Sequence, residues 1–304
     1  MLTWMYVNKR GNQLRLVGLL AISFVIIGCK TQGDAATAAN QMAATTKTLS
    51  DYYGALDKVL ANTQEAYDAQ TVINQAPPPD LSDTRQQIQL REKLATEFST
   101  LSATFATITS STAPTDASTA AGQLNTELVS IKALADNATE QKVLTSAVQL
   151  VVSLLQQHDE IKAARQIEPV CNALLKFFNS ESQFYDSINK NYLTLASSNA
   201  KAMVKGNLVD TSSLFRSSLD PFSLTPSIDS QTIKTGMQGY LDKQIDSTFA
   251  SKLAAAQNAT QALSDSLKEM DARIEVVTKD KVLSIALPPV TLDTVESWVS
   301  TITQ

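Results

Sequence analysis

Histidine is nearly missing from this 304-residue chain, cysteine occurs twice, and glycine and proline occur nine times each. Each scarcity excludes something. A metal centre on a helix usually needs at least two histidines about one turn apart, and this chain has only His158. Its neighbours Asp159 and Glu160 offer no help, because adjacent side chains on a helix point about 100° apart. The triplet reads as a solvated helix surface, and no metal or cofactor site is assigned. Two cysteines, Cys29 and Cys171, cannot form the disulfide framework of a small secreted scaffold, so packing must hold the fold. Few glycines and prolines, beside abundant Ala, Gln, Leu, Lys and Glu, favour helix, since Gly and Pro are its poorest formers. No Lys/Arg cluster of the kind that tracks a phosphate backbone occurs, which excludes nucleic acid as a partner. With 43% hydrophobic and 18% charged residues, the chain has the composition of a folded protein.

The richest stretch comes first. Lys9, Arg10 and Arg15 form a basic region, and Leu16 to Gly28 is an uncharged apolar run. The run is shorter than the roughly 20 residues of a permanent span, and it has the length of a secretory core segment of about 7–15 residues. It ends in Val25-Ile26-Ile27-Gly28-Cys29. The small Gly28 directly before Cys29 resembles the lipobox of bacterial lipoproteins, cleaved by signal peptidase II before a lipid-modified cysteine. The resemblance covers the leader alone. It implies a signal peptide over 1–28, a diacylglyceryl thioether on the Cys29 sulfur and an acyl chain such as palmitate on its new amino group. Two or three chains hold a protein stably where one does not, at about 0.8 kcal/mol per buried CH₂. Residues 29–34 would be the lipidated tether. In Gram-negative lipoproteins an aspartate after the cysteine favours the inner membrane, so Lys30 implies an outer-membrane address facing the periplasm. Acylation of Cys29 leaves Cys171 as the one thiol. Loss of the leader's three cations leaves 22 basic against 30 acidic residues, changing the net charge from −5 to −8.

Residues 35–304 read as a single helical domain. Asp34 suits a first N-cap. Met42, Leu49, Leu56 and Thr63 recur at seven with Tyr53, Leu60 and Tyr67 between them, a coiled-coil-like seam. Pro77-Pro78-Pro79 ends this helix, and Asp80 or Ser82 opens the next. There Leu90, Leu94, Phe98, Leu101, Phe105 and Ile108 make one stripe. Residues 110–118 read as a loop. A third helix carries Leu124, Leu128, Ile131 and Leu134, and Val143 to Leu155 is apolar on more than one face, the pattern of a central helix. Pro169 predicts a kink or restart. Beyond it Cys171, Leu174, Phe178, Tyr185, Ile188, Tyr192 and Leu195 form a stripe closed by Gly206-Asn207. Residues 208–230 read as a long connection with one short helix. The strongest periodicity follows, from Met237 through Leu241, Ile245, Phe249, Leu253, Ala256, Thr260, Leu263, Leu267, Met270 and Ile274 to Val277. Pro288-Pro289 precedes a short amphipathic helix bearing Val295, Trp298, Val299 and Ile302. The expected fold is all-α: an elongated antiparallel helical bundle with long coiled-coil-like helices.

Catalytic motifs are thin. Ser198-Asn199-Ala200-Lys201 and Lys234-Thr235-Gly236 match two elements of penicillin-recognising enzymes. That chemistry needs the serine at a helix start and the second element on a strand, and here both fall on helical patterns. Cys171 sits on an apolar stripe, which favours a buried hydrophobe over a reactive thiol. The tyrosines Tyr52, Tyr53, Tyr67, Tyr185 and Tyr192 suit either core packing or a groove, with core packing preferred. No catalytic residue is assigned, and Cys29 is the one site residue, for lipid attachment. The chain therefore reads as a lipid-anchored, non-enzymatic envelope protein, an adaptor for another envelope protein or a spacer. Self-association stays open, because a helical seam does not name its partner. Two alternatives are a membrane-active protein resembling helical pore-forming toxins, inserting through Val143–Leu155, and a carrier of a small ligand or lipid.

Overall fold

The computed structural model describes residues 5–74, 77–110, 160–209, 220–223, 231–278 and 292–303. They form an all-α fold of five helices and one 3₁₀ turn, with no strand among the described residues. The helices are α1 (Met5–Asn74), α2 (Ser82–Ser110), α3 (Glu160–Lys205), α4 (Gln231–Thr278) and α5 (Asp293–Thr303); the turn is Asp220–Phe222. None of them is long and apolar enough to cross a membrane. The helix at Leu124–Leu134, the apolar Val143–Leu155, His158 and Pro288-Pro289 lie outside the described residues. Of the 208–230 connection, the described part holds the 3₁₀ turn.

The ends of the helices follow local chemistry. Three consecutive prolines, which lack the N–H a helix needs, stand just past the end of α1. Asp80 then opens α2 by accepting the Ser82 N–H at 2.9 Å. Asn207 closes α3: it is left-handed (φ 53°), its N–H bonds the Val204 carbonyl at 3.1 Å, and the Leu208 N–H reaches back to Met203 at 2.9 Å. This is the Schellman arrangement, with asparagine rather than the neighbouring glycine in the left-handed position. Two expected boundaries differ. Asp34 lies inside α1, which is continuous from Met5, so Cys29 is a helical position while the leader is attached. Pro169 lies inside α3 without a break. It removes one hydrogen bond, and Ile167 and Cys171 on either side of it are buried.

The described chain divides into two compact units. The first draws on Met1–Lys47, Lys93–Lys176 and Asp265–Val290, the second on Thr48–Glu92, Phe177–Ser264 and Thr291–Gln304. In the first unit Met42, Phe98, Phe105, Cys171, Leu174, Leu267, Met270 and Ile274 are buried together. In the second, Leu49, Leu56, Leu60, Phe178, Tyr185, Ile188, Leu195, Ala256, Thr260 and Leu263 occupy the interior, as their spacing predicts. The α2 stripe matches the expected one at Phe98 and Phe105 and departs from it at Leu90 and Leu94. Ile88, Ala95 and Ser102 are buried beside Phe98 and Phe105, whereas Leu90 and Leu94 are half-buried. Close approach to α1 explains the shift: Ser50 Oγ donates to the Glu92 carbonyl at 3.4 Å, and a Cβ at Gly54 would lie 2.9 Å from a Glu92 carboxylate oxygen. Small residues fit such a seam better than leucine.

Helix directions in the second unit follow from its side-chain bonds. Ser50–Glu92 and Asp57–Arg85 set α1 and α2 antiparallel. Asn179–Ser264 and Lys201–Asp246 do the same for α3 and α4. Tyr53–Tyr185 and Asn199–Ala66 make α1 and α3 parallel. Antiparallel pairing thus holds for α1 with α2 and for α3 with α4, whereas α1 and α3 run side by side in the same direction.

Candidate functional site

The second unit is built around an aromatic cluster. Tyr52 and Tyr53 are neighbours on α1 and point about 100° apart; both meet α3, and Tyr52 meets α5 as well. The Tyr52 ring lies 5.0 Å from Trp298 of α5 and 5.8 Å from Phe178 of α3. The Tyr53 ring lies 5.6 Å from Tyr185. Tyr52, Tyr53, Phe178 and Tyr185 are all at most 2% exposed. Such aromatic pairs contribute about 0.5–1.5 kcal/mol each beyond their burial.

Their hydroxyls feed two hydrogen-bond relays. In the first, Thr260 Oγ1 lies 2.8 Å from the Tyr52 hydroxyl and 2.9 Å from Asp186 Oδ1. Thr260 has one proton and the carboxylate is the stronger acceptor, so the order is Tyr52 to Thr260 to Asp186. In the second, Tyr185 donates to Glu181 Oε2 at 2.7 Å, so Tyr53, 3.2 Å away, donates to Tyr185. Arg91 closes this relay with two bonds to Glu181, at 2.8 and 2.7 Å, and its guanidinium lies 5.4 Å from the Phe177 ring centre. Burial pushes all three tyrosines above their ordinary range, so they are donors and not bases. Glu181 is also raised by burial, but the bonds from Arg91 and Tyr185 outweigh this and hold it below the usual carboxylate value. Asp186 moves the other way, because burial there exceeds the help from Thr260. Both carboxylates are already engaged within the core.

Beside this core lies a cavity of about 510 Å³. α1 contributes Asn62, α3 contributes Asn189 and Tyr192, α4 contributes Lys252 and Ala256, and α5 contributes Asp293 and Trp298. Asn189 is only 3% exposed; its amide nitrogen donates to the Tyr185 carbonyl at 3.2 Å. A second cavity of about 340 Å³ continues between α3 and α4 and shares Tyr192, Leu193 and Lys252 with the first. Its other walls include Ala196 and Ala200 facing Leu241, Ile245 and Phe249.

The residues singled out from sequence fare differently. Tyr52, Tyr53 and Tyr185 pack in the core, while Tyr67 and Tyr192 are half-buried and Tyr192 reaches the cavity. The Cys171 thiol is buried, 3.5 Å from the Met42 sulfur, and burial, with the charges of Asp271 and Glu168, pushes its ionisation far up. A thiol so placed is inert. Ser198 and Lys201 lie on α3, with Lys201 paired to Asp246 at 2.6 Å, and Lys234-Thr235-Gly236 opens α4. Neither element has the setting that the penicillin-type chemistry needs. Cys29 lies on α1, in the first unit. Among the described residues no group of three or more His, Cys, Asp or Glu side chains is placed to hold a metal ion. Sequence reading missed Asn62 and Asn189. Their signal is faint but real: Asn189 interrupts the flank of an otherwise apolar stripe, next to Ile188. No protein-family model, curated protein or solved structure matches this chain.

Proposed function

We propose that the chain is a lipid-anchored helical protein of the cell envelope that works by binding another envelope protein, without enzymatic chemistry. The leader ending in Gly28-Cys29 supplies the address, with Cys29 acylated after cleavage. With a short tether at the membrane, the helical body would present its surfaces to partners within reach of the bilayer. For a Gram-negative source, Lys30 favours the outer membrane and a body facing the periplasm.

What supports binding over catalysis is the chemistry of the 510 Å³ cavity. Its polar groups are mostly neutral carboxamides and hydroxyls, with one cation, Lys252, and one anion, Asp293. Such a lining positions and recognises a ligand, whereas acid–base or nucleophilic work needs a titrating pair or an activated nucleophile.

The test is crosslinking in intact cells, comparing native protein with Cys29→Ser, and reading partners by mass spectrometry. A specific envelope protein captured only by the native form supports an anchored adaptor. Self-crosslinks alone, with no partner above background, would replace this reading with a self-assembling spacer.

A further inference from the structure

We propose that the two adjoining cavities of the second unit seat an extended, uncharged peptide segment of the partner, carrying apolar side chains and pairing its backbone with Asn62 and Asn189. This rests on the binding reading above and names the chemistry of what is bound.

The first observation is unspent hydrogen-bonding capacity. The Asn189 side chain, 3% exposed, uses its amide nitrogen on the Tyr185 carbonyl, and its Oδ1 is bonded to no other described residue. The Asn62 carboxamide and the Tyr192 hydroxyl likewise bond to no other described residue, and all three line the 510 Å³ cavity. A carboxamide offers donors and an acceptor side by side, which is the complement of a peptide group. A helical partner could not use them, because its own N–H and C=O groups are already joined to each other. An extended segment leaves those groups free.

The second observation is adjacency. The two cavities share Tyr192, Leu193 and Lys252 as walls, so they adjoin and a chain-like ligand laid across those side chains can reach both. Beyond the shared residues the walls are mostly apolar, with Leu241, Ile245 and Phe249 on α4 and Ala196 and Ala200 on α3, interspersed with Ser197, Gln244 and Thr248. Extended peptides alternate their side chains to opposite sides, so one row can enter this trough while the backbone stays level with the carboxamides. Charge points the same way. Lys252 and Asp293 cancel, so the site has no attraction for a polyanion. A glycan fits less well. Sugar rings stack on open aromatic faces, and Trp298 is 5% exposed with its ring against Tyr52.

Trp298 also supplies the readout. The sequence has two tryptophans, Trp4 in the leader and Trp298, so the chain from Cys29 onward reports through Trp298 alone. A phage-displayed random nonapeptide library is panned on the processed, acylated protein in detergent, and enriched peptides are synthesised and titrated by Trp298 fluorescence. The expected result is enrichment of uncharged sequences with alternating apolar residues and a saturable change in Trp298 emission. Asn62→Ala should weaken binding about tenfold, the worth of one or two hydrogen bonds. Ala196→Phe, which fills the second cavity, should weaken it at least as much. Both variants alter side chains outside the aromatic core, and unchanged thermal unfolding would confirm that each folds. Three results would overturn the proposal: no peptide enriches, enriched peptides bind both variants normally, or chitotetraose changes Trp298 emission while peptides do not. A cellular partner that still crosslinks to both variants would overturn the site and leave the adaptor reading standing.

Discussion

Replacing Tyr185 by phenylalanine should destabilise the second unit more than the same change at Tyr53, and the pair should be coupled with a distinctive sign. Tyr53 donates to Tyr185, and Tyr185 donates to a Glu181 carboxylate that Arg91 holds by two bonds. Tyr53→Phe removes one neutral bond and leaves no donor stranded, at about 0.5–1.5 kcal/mol. Tyr185→Phe removes the bond to the carboxylate, worth about 1.5–3 kcal/mol. The lower end applies because a quarter of the Glu181 side chain is exposed. It also strands the Tyr53 hydroxyl in a site 2% exposed, adding about 1–3 kcal/mol. The expected losses are therefore about 1 kcal/mol for Tyr53→Phe and about 3 kcal/mol for Tyr185→Phe. Adding Tyr53→Phe to the Tyr185 variant removes the stranded group, so the double variant should be more stable than Tyr185→Phe alone, by about 1 kcal/mol. Urea unfolding followed by Trp298 fluorescence measures this directly, since Trp298 belongs to the same cluster; midpoints are compared at unchanged slope. Equal losses for the two single variants, or a double variant less stable than Tyr185→Phe, would refute the assigned donor order.

Three further outcomes follow from the same geometry. Gly236 and Gly239 are exposed positions within α4, and a methyl group added at either would meet no atom within 4 Å, so Gly236→Ala and Gly239→Ala should each stabilise by about 0.5–1 kcal/mol in urea melts. Asn207 holds φ 53° at the end of α3, so Asn207→Gly should be tolerated while Asn207→Ala lowers stability by about 1 kcal/mol. Glu181 has its ionisation held below the ordinary value of 4.5, so its stabilisation is complete above that value and disappears as pH falls through the folded value. The stability gap between native protein and Glu181→Gln should accordingly be flat from pH 7 to about 5 and close in more acidic solution. A gap that closes already between pH 7 and 6 would contradict that assignment.

Much of the fold was legible because it depends on local periodicity. Met42, Leu49, Leu56 and Thr63 are buried on the face that their seven-residue spacing marks, and the α4 series is buried from Ala256 to Ile274. The α2 stripe was legible at Phe98 and Phe105 but not at Leu90 and Leu94, for a definable reason. Leucine dominates any hydrophobic pattern, but the seam with α1 is set by closeness of approach, which selected Ala95 and Ser102 over Leu90 and Leu94. Pro169 does not restart the chain: α3 runs through it, with buried Ile167 and Cys171 on either side.

By itself the sequence determined the helical class, the start of α2 and the end of α3, the buried faces of α1, α3 and α4, and the Gly28-Cys29 leader pattern. These depend on residues within a few turns of one another, where backbone propensity and spacing suffice. Only the tertiary structure decided that Tyr53 meets Tyr185, 132 positions away, and that Asn62, Asn189, Lys252 and Trp298 line one cavity. Those meetings depend on which helix packs against which. An amphipathic stripe states that a face must be covered and carries no information about the covering partner.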